Sequence, residues 1–335
     1  MSYNGTKVLV TGADGFIGSH LVEGLVAAGA KVTALAQYNA FGTNGWLDEM
    51  SESVLSAVTV RRGDIRDAAF VQRLVAGQDV IFHLAALIAI PHSYDAPQSY
   101  VDVNVTGTLN MLEAARHHGV QRVVHTSTSE VYGTALTKPI GEGHPLQGQS
   151  PYSASKIAAD MMAEAYMRSF SLPVYILRPF NTFGPRQSER AVLSTMIRQA
   201  LDPGCTEIRL GDLSPTRDFN YVTNTVEAFM TLGDADGVEP GQPYNAGTGV
   251  EVSVGDMVDR VLDVTGANKP VVQDADRRRP PGSEVRALVA DSRLLQTATG
   301  WQPAVDLDAG IIRTIDWWRG RIGAGQVRRS SGYLT

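Results

Sequence analysis

Three glycines constrain this chain most. Gly12, Gly15 and Gly18 follow directly on an apolar, β-branched run, Lys7 to Thr11, and open a segment with apolar residues at helical spacing, Phe16 to Ala28. A strand that turns so tightly into a helix needs positions without a Cβ. The helix start then offers unbonded N–H groups where a pyrophosphate can approach the main chain. A lone glycine pattern is weak, but here the strand before and the helix after are both in place. The pattern predicts a dinucleotide site at Gly12, Gly15, Phe16, Ile17 and Gly18.

Strand-like runs recur at Lys31 to Ala36, Val58 to Val60, Asp79 to Leu84 and Arg122 to Thr126, with a helical pattern over Tyr100 to His117. This alternation predicts an α/β fold with a doubly wound parallel sheet covered on both faces. Further on, Tyr152 to Ser169 reads as a long helix and Leu172 to Leu177 as a strand ending at Arg178-Pro179. Beyond it glycine and proline become denser. Ser253 with Asp256 reads as a helix cap, residues 276–282 as a loop, and the chain after Gly320 as a mobile tail.

Composition excludes several classes. The 29 bases and 35 acids leave a formal charge of −6, with no basic footprint for nucleic acid. One cysteine, Cys205, rules out an internal disulfide and a cysteine-based zinc site. The first residues lack a basic segment followed by an apolar run, so no signal peptide is expected. The longest apolar stretch, Val80 to Ile90, is interrupted by His83 and falls short of the roughly 20 residues that span a bilayer. The expectation is a cytoplasmic protein without membrane attachment. None of the seven histidines stands in a metal-ligand pattern, so no metal site is expected.

The second strand of a dinucleotide fold usually ends in an acid that holds ribose hydroxyls. Here the segment is Ala36-Gln37-Tyr38-Asn39. Gln37 or Asn39 could bond a ribose, and an ordinary polar loop fits nearly as well. With no cation in place for a 2′-phosphate, NAD is expected, and NADP stays open. Downstream, Tyr152 and Lys156 stand at i and i+4 on one helix face. A neighbouring ammonium lowers a phenol's pKa, which suits a base that takes an alcohol proton as hydride leaves carbon.

On these residues the chain resembles the extended short-chain dehydrogenase/reductase family, its NAD-dependent epimerase/dehydratase branch. The likeness extends over residues 63–65 (GDI), 83–86 (HLAA) and 178–185 (RPFNTFGP). It implies a Rossmann domain over 1–180, joined by some later segments, and a smaller mixed α/β C-terminal domain over 181–320 that grips a nucleotide sugar. Residues 321–335 would be the tail. By resemblance, Asp64 and Ile65 lie at the adenine and Leu84, Ala85 and Ala86 beside the cofactor. Arg217 and Arg279 would hold a sugar-nucleotide diphosphate with help from Asn181; an arginine fork suits phosphate oxygens. A homodimer through the helices Tyr100–His117 and Tyr152–Ser169 is implied likewise, although the Met161-Met162 and Tyr166-Met167 faces fit a core equally.

Thr128-Ser129-Glu130 resembles the corresponding triplet of the 4,6-dehydratases; C4-epimerases of the family generally lack the glutamate, and UDP-glucuronate decarboxylases can carry it. Residues 38–41 (YNAF), 45–47 (GWL), 86–94 (ALIAIPHSY), 184–188 (GPRQS), 215–218 (PTRD) and 279–285 (RPPGSEV) resemble bacterial UDP-N-acetylglucosamine 4,6-dehydratases of the legionaminic-acid pathway type. The implied chemistry starts from an inert C5–H. Tyr152, aided by Lys156 and Thr128, takes the 4-OH proton while hydride passes to NAD+. The C4 ketone makes C5–H removable by Glu130, water leaves C6, and hydride returns there. Either Ser129 or Glu130 protonates the leaving hydroxyl. The alternatives are a UDP-glucuronate decarboxylase, a C4-epimerase and a non-catalytic dinucleotide-sensing scaffold.

Overall fold

Short runs, most of them buried on both faces and the edge strand partly exposed, line up as one sheet in the computed structural model, which describes residues 3–327. The strands are β1 (Lys7–Thr11), β2 (Lys31–Gln37), β3 (Val58–Gly63), β4 (Val80–His83), β5 (Arg122–Thr126), β6 (Val174–Pro179) and, much later in the chain, Pro243–Ala246. Across the sheet the order is Pro243–Ala246, β6, β5, β4, β1, β2, β3. Every neighbouring pair is parallel. The order reverses between β1 and β4, and such a switch point opens a crevice at the carboxyl ends of the strands. This is a Rossmann-type doubly wound sheet.

Alternation along β1 shows how two cores form. Val8 and Val10 join Leu21, Phe229 and Trp318 on one face. Leu9 joins Ile81, Met111 and Ile176 on the other. Helix α1 (Phe16–Ala27) lies against the Val222–Leu232 helix, closely enough that a Cβ on Gly24 would stand 2.9 Å from Met230 Sδ. That helix and the Pro243–Ala246 strand carry the late chain back to the first half.

The helical stretch expected from Tyr100 to His117 is not uniform. Residues Val101–Thr106 are wound as a π-helix before the α-helix Gly107–His118. Its cause is Asn104, buried there, whose amide bonds the main chain of Leu87 in both directions and reaches Ser155 Oγ. Such π-turns favour functional sites. The next long helix begins at Pro151, one residue earlier than expected, because Ser150 and Ser153 form a capping box ahead of it.

The remaining chain forms short strands over the crevice. Thr216–Arg217 pairs with Val252–Ser253 and Ala287–Leu288. Asn181–Phe183 pairs with Phe219–Tyr221. Asp218, fully buried, accepts bonds from Thr248, Gly249 and Ala290 and ties these pieces together. The expected cap at Ser253 forms, with Asp256 reciprocating. Residues 275–277 make a short 3₁₀ turn at the start of the expected loop.

The tail expected from residue 321 needs correction. The last helix, Leu307–Gly323, continues past Gly320. Trp318 is buried in the core, Trp317 meets Trp46 edge-on, and Arg321 pairs with Glu49 at 2.6 Å. The rest of the expected tail, 328–335, lies outside the described residues. Among the described residues no helix is long and apolar enough to cross a membrane.

Candidate active site

The glycine turn has the shape its sequence implied. Gly12 has φ +66°, and a Cβ there would stand 2.9 Å from the main chain of Leu84 and Ala85 at the end of β4. On Gly18 a Cβ would lie 2.1 Å from the Gly12 carbonyl oxygen. Gly15 caps α1 without a side-chain bond, and no acid sits in the first turn, where Phe16, Ile17 and Gly18 present N–H groups. This cradle fits a pyrophosphate.

At the end of β2 the sequence expectation is only half met. The Asn39 amide bonds Gln37 O, Thr43 O and the N–H groups of Phe41 and Thr43, so it closes its own loop. A ribose contact from that side chain would compete with all four bonds. The N–H of Gln37 donates to Asp14 Oδ2 at 3.0 Å. A cation is present after all. Arg62 on β3, paired in register with Ala36, reaches the loop and donates to Gly42 O and Asn44 Oδ1. Sequence reading missed it because β3 comes later in the chain. Two loop acceptors already hold its guanidinium.

Asp64 pairs with Arg66 at 2.5 Å, and that hydrogen bond holds its carboxyl below the usual range. Ile65 is buried under Gly107, where a Cβ would meet Ile65 Cδ1 at 2.4 Å. Its side chain therefore belongs to the core. At β4, the N–H groups of Leu84 and Ala85 both donate to Thr11 Oγ1. That hydroxyl is then left to donate to His83 Nδ1 (2.8 Å), and His83 Nε2 donates to Thr108 Oγ1 (3.1 Å), whose own proton goes to Asn104 O. Burial holds the imidazole pKa far below its ordinary value, so it is neutral, as this network requires. His83 thereby braces the 84–86 turn.

The catalytic candidates converge at the end of β5. Thr128 Oγ1 caps the 3₁₀ turn Ser129–Tyr132 by accepting from Glu130 N–H at 3.2 Å. The same hydroxyl lies near the Tyr152 phenol and favours its ionised form. Ser129 is buried, and Glu130 is nearly so. Lys156 donates to Thr126 O at 2.5 Å. Burial pushes its pKa down to about 8, against the opposing charge of Asp160. The expected depression of the Tyr152 pKa does not appear. Burial raises it, the Thr128 hydroxyl offsets this in part, and Glu130 raises it again. The physical reason is that the buried phenol has lost its water and faces the Glu130 carboxylate, both of which disfavour its anion.

Behind Lys156 lies a polar cluster that the sequence reading did not single out. Asp160, fully buried, accepts from Ser127 Oγ (2.7 Å) and from Arg178 (3.0 and 3.2 Å), with His125 Nε2 3.3 Å away. Arg178 continues to the Tyr132 hydroxyl, which donates to Asn245 Oδ1. A signal existed: Tyr152, Lys156 and Asp160 form an i, i+4, i+8 stripe.

Across the crevice, Arg217 and Arg279 face the same region as Glu130. Arg279 Nη1 lies 3.7 Å from Glu130 Oε1, and Arg217 Nη2 lies 3.3 Å from Glu284 Oε1. Asn181 is half-buried on its short strand. Glu284 was missed as a site residue. Among the described residues no three His, Cys, Asp or Glu side chains are grouped to hold a metal ion.

The profile of the GDP-mannose 4,6 dehydratase family matches residues 9–314. This chain belongs to the NAD-dependent epimerase/dehydratase family of extended short-chain dehydrogenases/reductases. It is 36% identical over 320 residues to a UDP-glucose 4-epimerase of Mycolicibacterium smegmatis, covering 94% of this chain and 99% of that one. It is 35% identical over 324 residues to a dTDP-glucose 4,6-dehydratase of Streptomyces antibioticus, covering 93% and 92%. A Streptomyces venezuelae dTDP-glucose 4,6-dehydratase solved with NAD superposes with a TM-score of 0.82 at 29% identity, over 95% of this chain and 98% of that one. The family member described here is an enzyme of nucleotide-sugar chemistry, and NAD is its cofactor.

Proposed function

We propose that this family member is a nucleotide-sugar 4,6-dehydratase that converts UDP-N-acetylglucosamine to the UDP-4-keto-6-deoxy sugar. The observation that carries the reading is the cluster at the end of β5, where Thr128 caps the turn bearing Glu130 and both groups act on the buried Tyr152 phenol. One base for O–H and one for C–H thus share a pocket. Tyr152 takes the 4-OH proton, aided by Thr128 and Lys156. Glu130 takes the C5 proton once C4 is a ketone, and Ser129 or Glu130 protonates the departing C6 hydroxyl. NAD, when bound, would supply reversible hydride storage for the oxidation at C4 and the reduction at C6. Gly12, Gly15 and the first turn of α1 hold its pyrophosphate. Arg217, Arg279 and Asn181 hold the sugar nucleotide.

The sugar assignment rests on the loop segments resembling UDP-N-acetylglucosamine dehydratases. A homodimer is part of the same reading. Val101, Met161 and Phe170 are exposed on the expected helix faces, whereas Tyr166 is core and Met162 packs against it.

Mass spectrometry tests the activity, with purified enzyme given UDP-N-acetylglucosamine, dTDP-glucose, GDP-mannose or UDP-glucuronate and no added cofactor. Loss of one water from UDP-N-acetylglucosamine is expected; loss of carbon dioxide from UDP-glucuronate would replace the reading with decarboxylation. Glu130→Gln is expected to keep C4 oxidation and stop elimination, and unaltered turnover would remove Glu130 from the mechanism. C4 epimerisation is the second reading, favoured by the Mycolicibacterium relative. It predicts an isobaric epimer, resolved by chromatography, whose formation survives Glu130→Gln.

A further inference from the structure

The two arginines facing the sugar-nucleotide crevice form a chain of alternating charge with two carboxylates. Its order is Glu130, Arg279, Glu284, Arg217. Arg279 Nη1 stands 3.7 Å from Glu130 Oε1 and 4.0 Å from Glu284 Oε1. Its side chain is partly exposed, but Nη1 itself is buried and makes no hydrogen bond to either. Arg217 is held more closely, with Nη1 on Thr216 O at 2.9 Å and Nη2 on Glu284 Oε1 at 3.3 Å. Glu284 is not a wandering surface acid. The N–H groups of Ser283 and Glu284 both donate to Pro280 O, and Ser283 Oγ meets the Tyr94 hydroxyl at 2.6 Å. Val285, next along, is buried. One carboxylate oxygen is thus fixed between two guanidinium groups, in the manner of a phosphate oxygen.

We propose that Glu284 is an internal competitor for the nucleoside diphosphate, holding Arg217 and Arg279 until two phosphates replace it. This rests on the reading of those arginines as diphosphate ligands. A carboxylate offers one negative charge, and a diphosphate offers more charge and oxygens for both guanidinium forks. The diphosphate therefore wins, but must first separate ion pairs that are largely desolvated. Arg279, when it turns to the diphosphate, also leaves Glu130. Glu284 thereby keeps the two arginines apart and neutralised, and weakens binding of any ligand that engages only one of them.

Calorimetric titration with UDP, and separately with dTDP, tests this on the full chain carrying its NAD. The variants are Glu284→Gln, which keeps shape and removes charge, Arg217→Gln, and the two combined. Glu284→Gln is expected to bind the diphosphate about fivefold tighter, the reverse of what a lost structural bond would do. Arg217→Gln is expected to bind it at least about tenfold more weakly, and the combined variant to show none of the gain. Unchanged or weaker binding in Glu284→Gln, with Arg217→Gln weakened, overturns the competition alone. Unchanged binding in Arg217→Gln overturns the diphosphate reading beneath it. Thermal melting of each variant without nucleotide verifies that all are folded.

Discussion

The two sides of the crevice present different kinds of polar group. On the cofactor side the main chain makes the site. Gly12 and Gly18 sit so close to neighbouring backbone that a methyl group would stand 2.9 and 2.1 Å from it. On the side proposed for the sugar nucleotide, long side chains line the crevice, and Arg279 approaches its two carboxylates only to 3.7 and 4.0 Å. Backbone cannot relax by rotating a torsion or two, and a guanidinium can. The first side should therefore respond to volume and the second to charge. A cofactor that is regenerated within each turnover suits the rigid side. A substrate that must enter and leave suits the adjustable one.

The sharpest way to break this contrast is Gly18→Ala. Helix α1 must shift away from the turn, at a cost of roughly 1–3 kcal/mol for the overpacking alone. The purified variant is expected to lack bound NAD, measured by releasing and quantifying nucleotide, and to lose turnover with it. Retained NAD at wild-type stoichiometry would show that the turn yields, and would erase the distinction between the two sides.

That same contrast decides what the sequence made legible. Steric sites leave local marks, so Gly12, Gly15 and Gly18 could be read from spacing, as could Tyr152 and Lys156 on one helix face. Asp160 was legible in principle as the next member of that stripe. The charge chain was not. Arg217 and Glu284 meet only because Thr216–Arg217 pairs with Ala287–Leu288, and nothing local in either segment foretells that. Asn39 shows a related effect: a side chain at the right address has its bonds taken by its own loop. The π-turn at Asn104 likewise depends on Leu87 and Ser155, partners far away in sequence.

Charge on the rigid side should behave as buried charge. Lys156 is 4% exposed, and its folded pKa of about 8 lies below the ordinary 10.5. Between those values the unfolded chain holds a proton that the folded chain has released. Stability contributed by this site therefore rises as pH climbs through that window, and the burial cost is present in full below it. Denaturant titrations on either side of the window should show that rise in the wild type. In Lys156→Met the rise should be smaller by on the order of 3 kcal/mol. An equal rise in both would mean that Lys156 is solvated as an exposed lysine is.

A smaller effect is expected where the two sides meet. The Thr128 hydroxyl lowers the Tyr152 pKa against burial. In Thr128→Val that support is lost, so the phenol ionises at higher pH. The limb of the kcat/KM profile that reports it should move up by about one unit. A limb that stays in place would assign the profile to a different group.

The smallest effect is expected at a glycine on the adjustable side. A Cβ on Gly282, in the strap carrying Ser283 and Glu284, would meet nothing within 4 Å, and its φ lies outside the left-handed range. Its carbonyl, not its N–H, is engaged, accepting from Gln149 Nε2 at 3.4 Å. Gly282→Ala should therefore leave UDP affinity and NAD content unchanged. Melting should shift upward if at all, because alanine narrows the unfolded ensemble by about 0.4–1 kcal/mol where the native backbone accepts it. Gly18 and Gly282 are the same residue type under opposite constraints. A loss of stability at Gly282 comparable to that at Gly18 would mean that the strap, too, is built on main-chain contact.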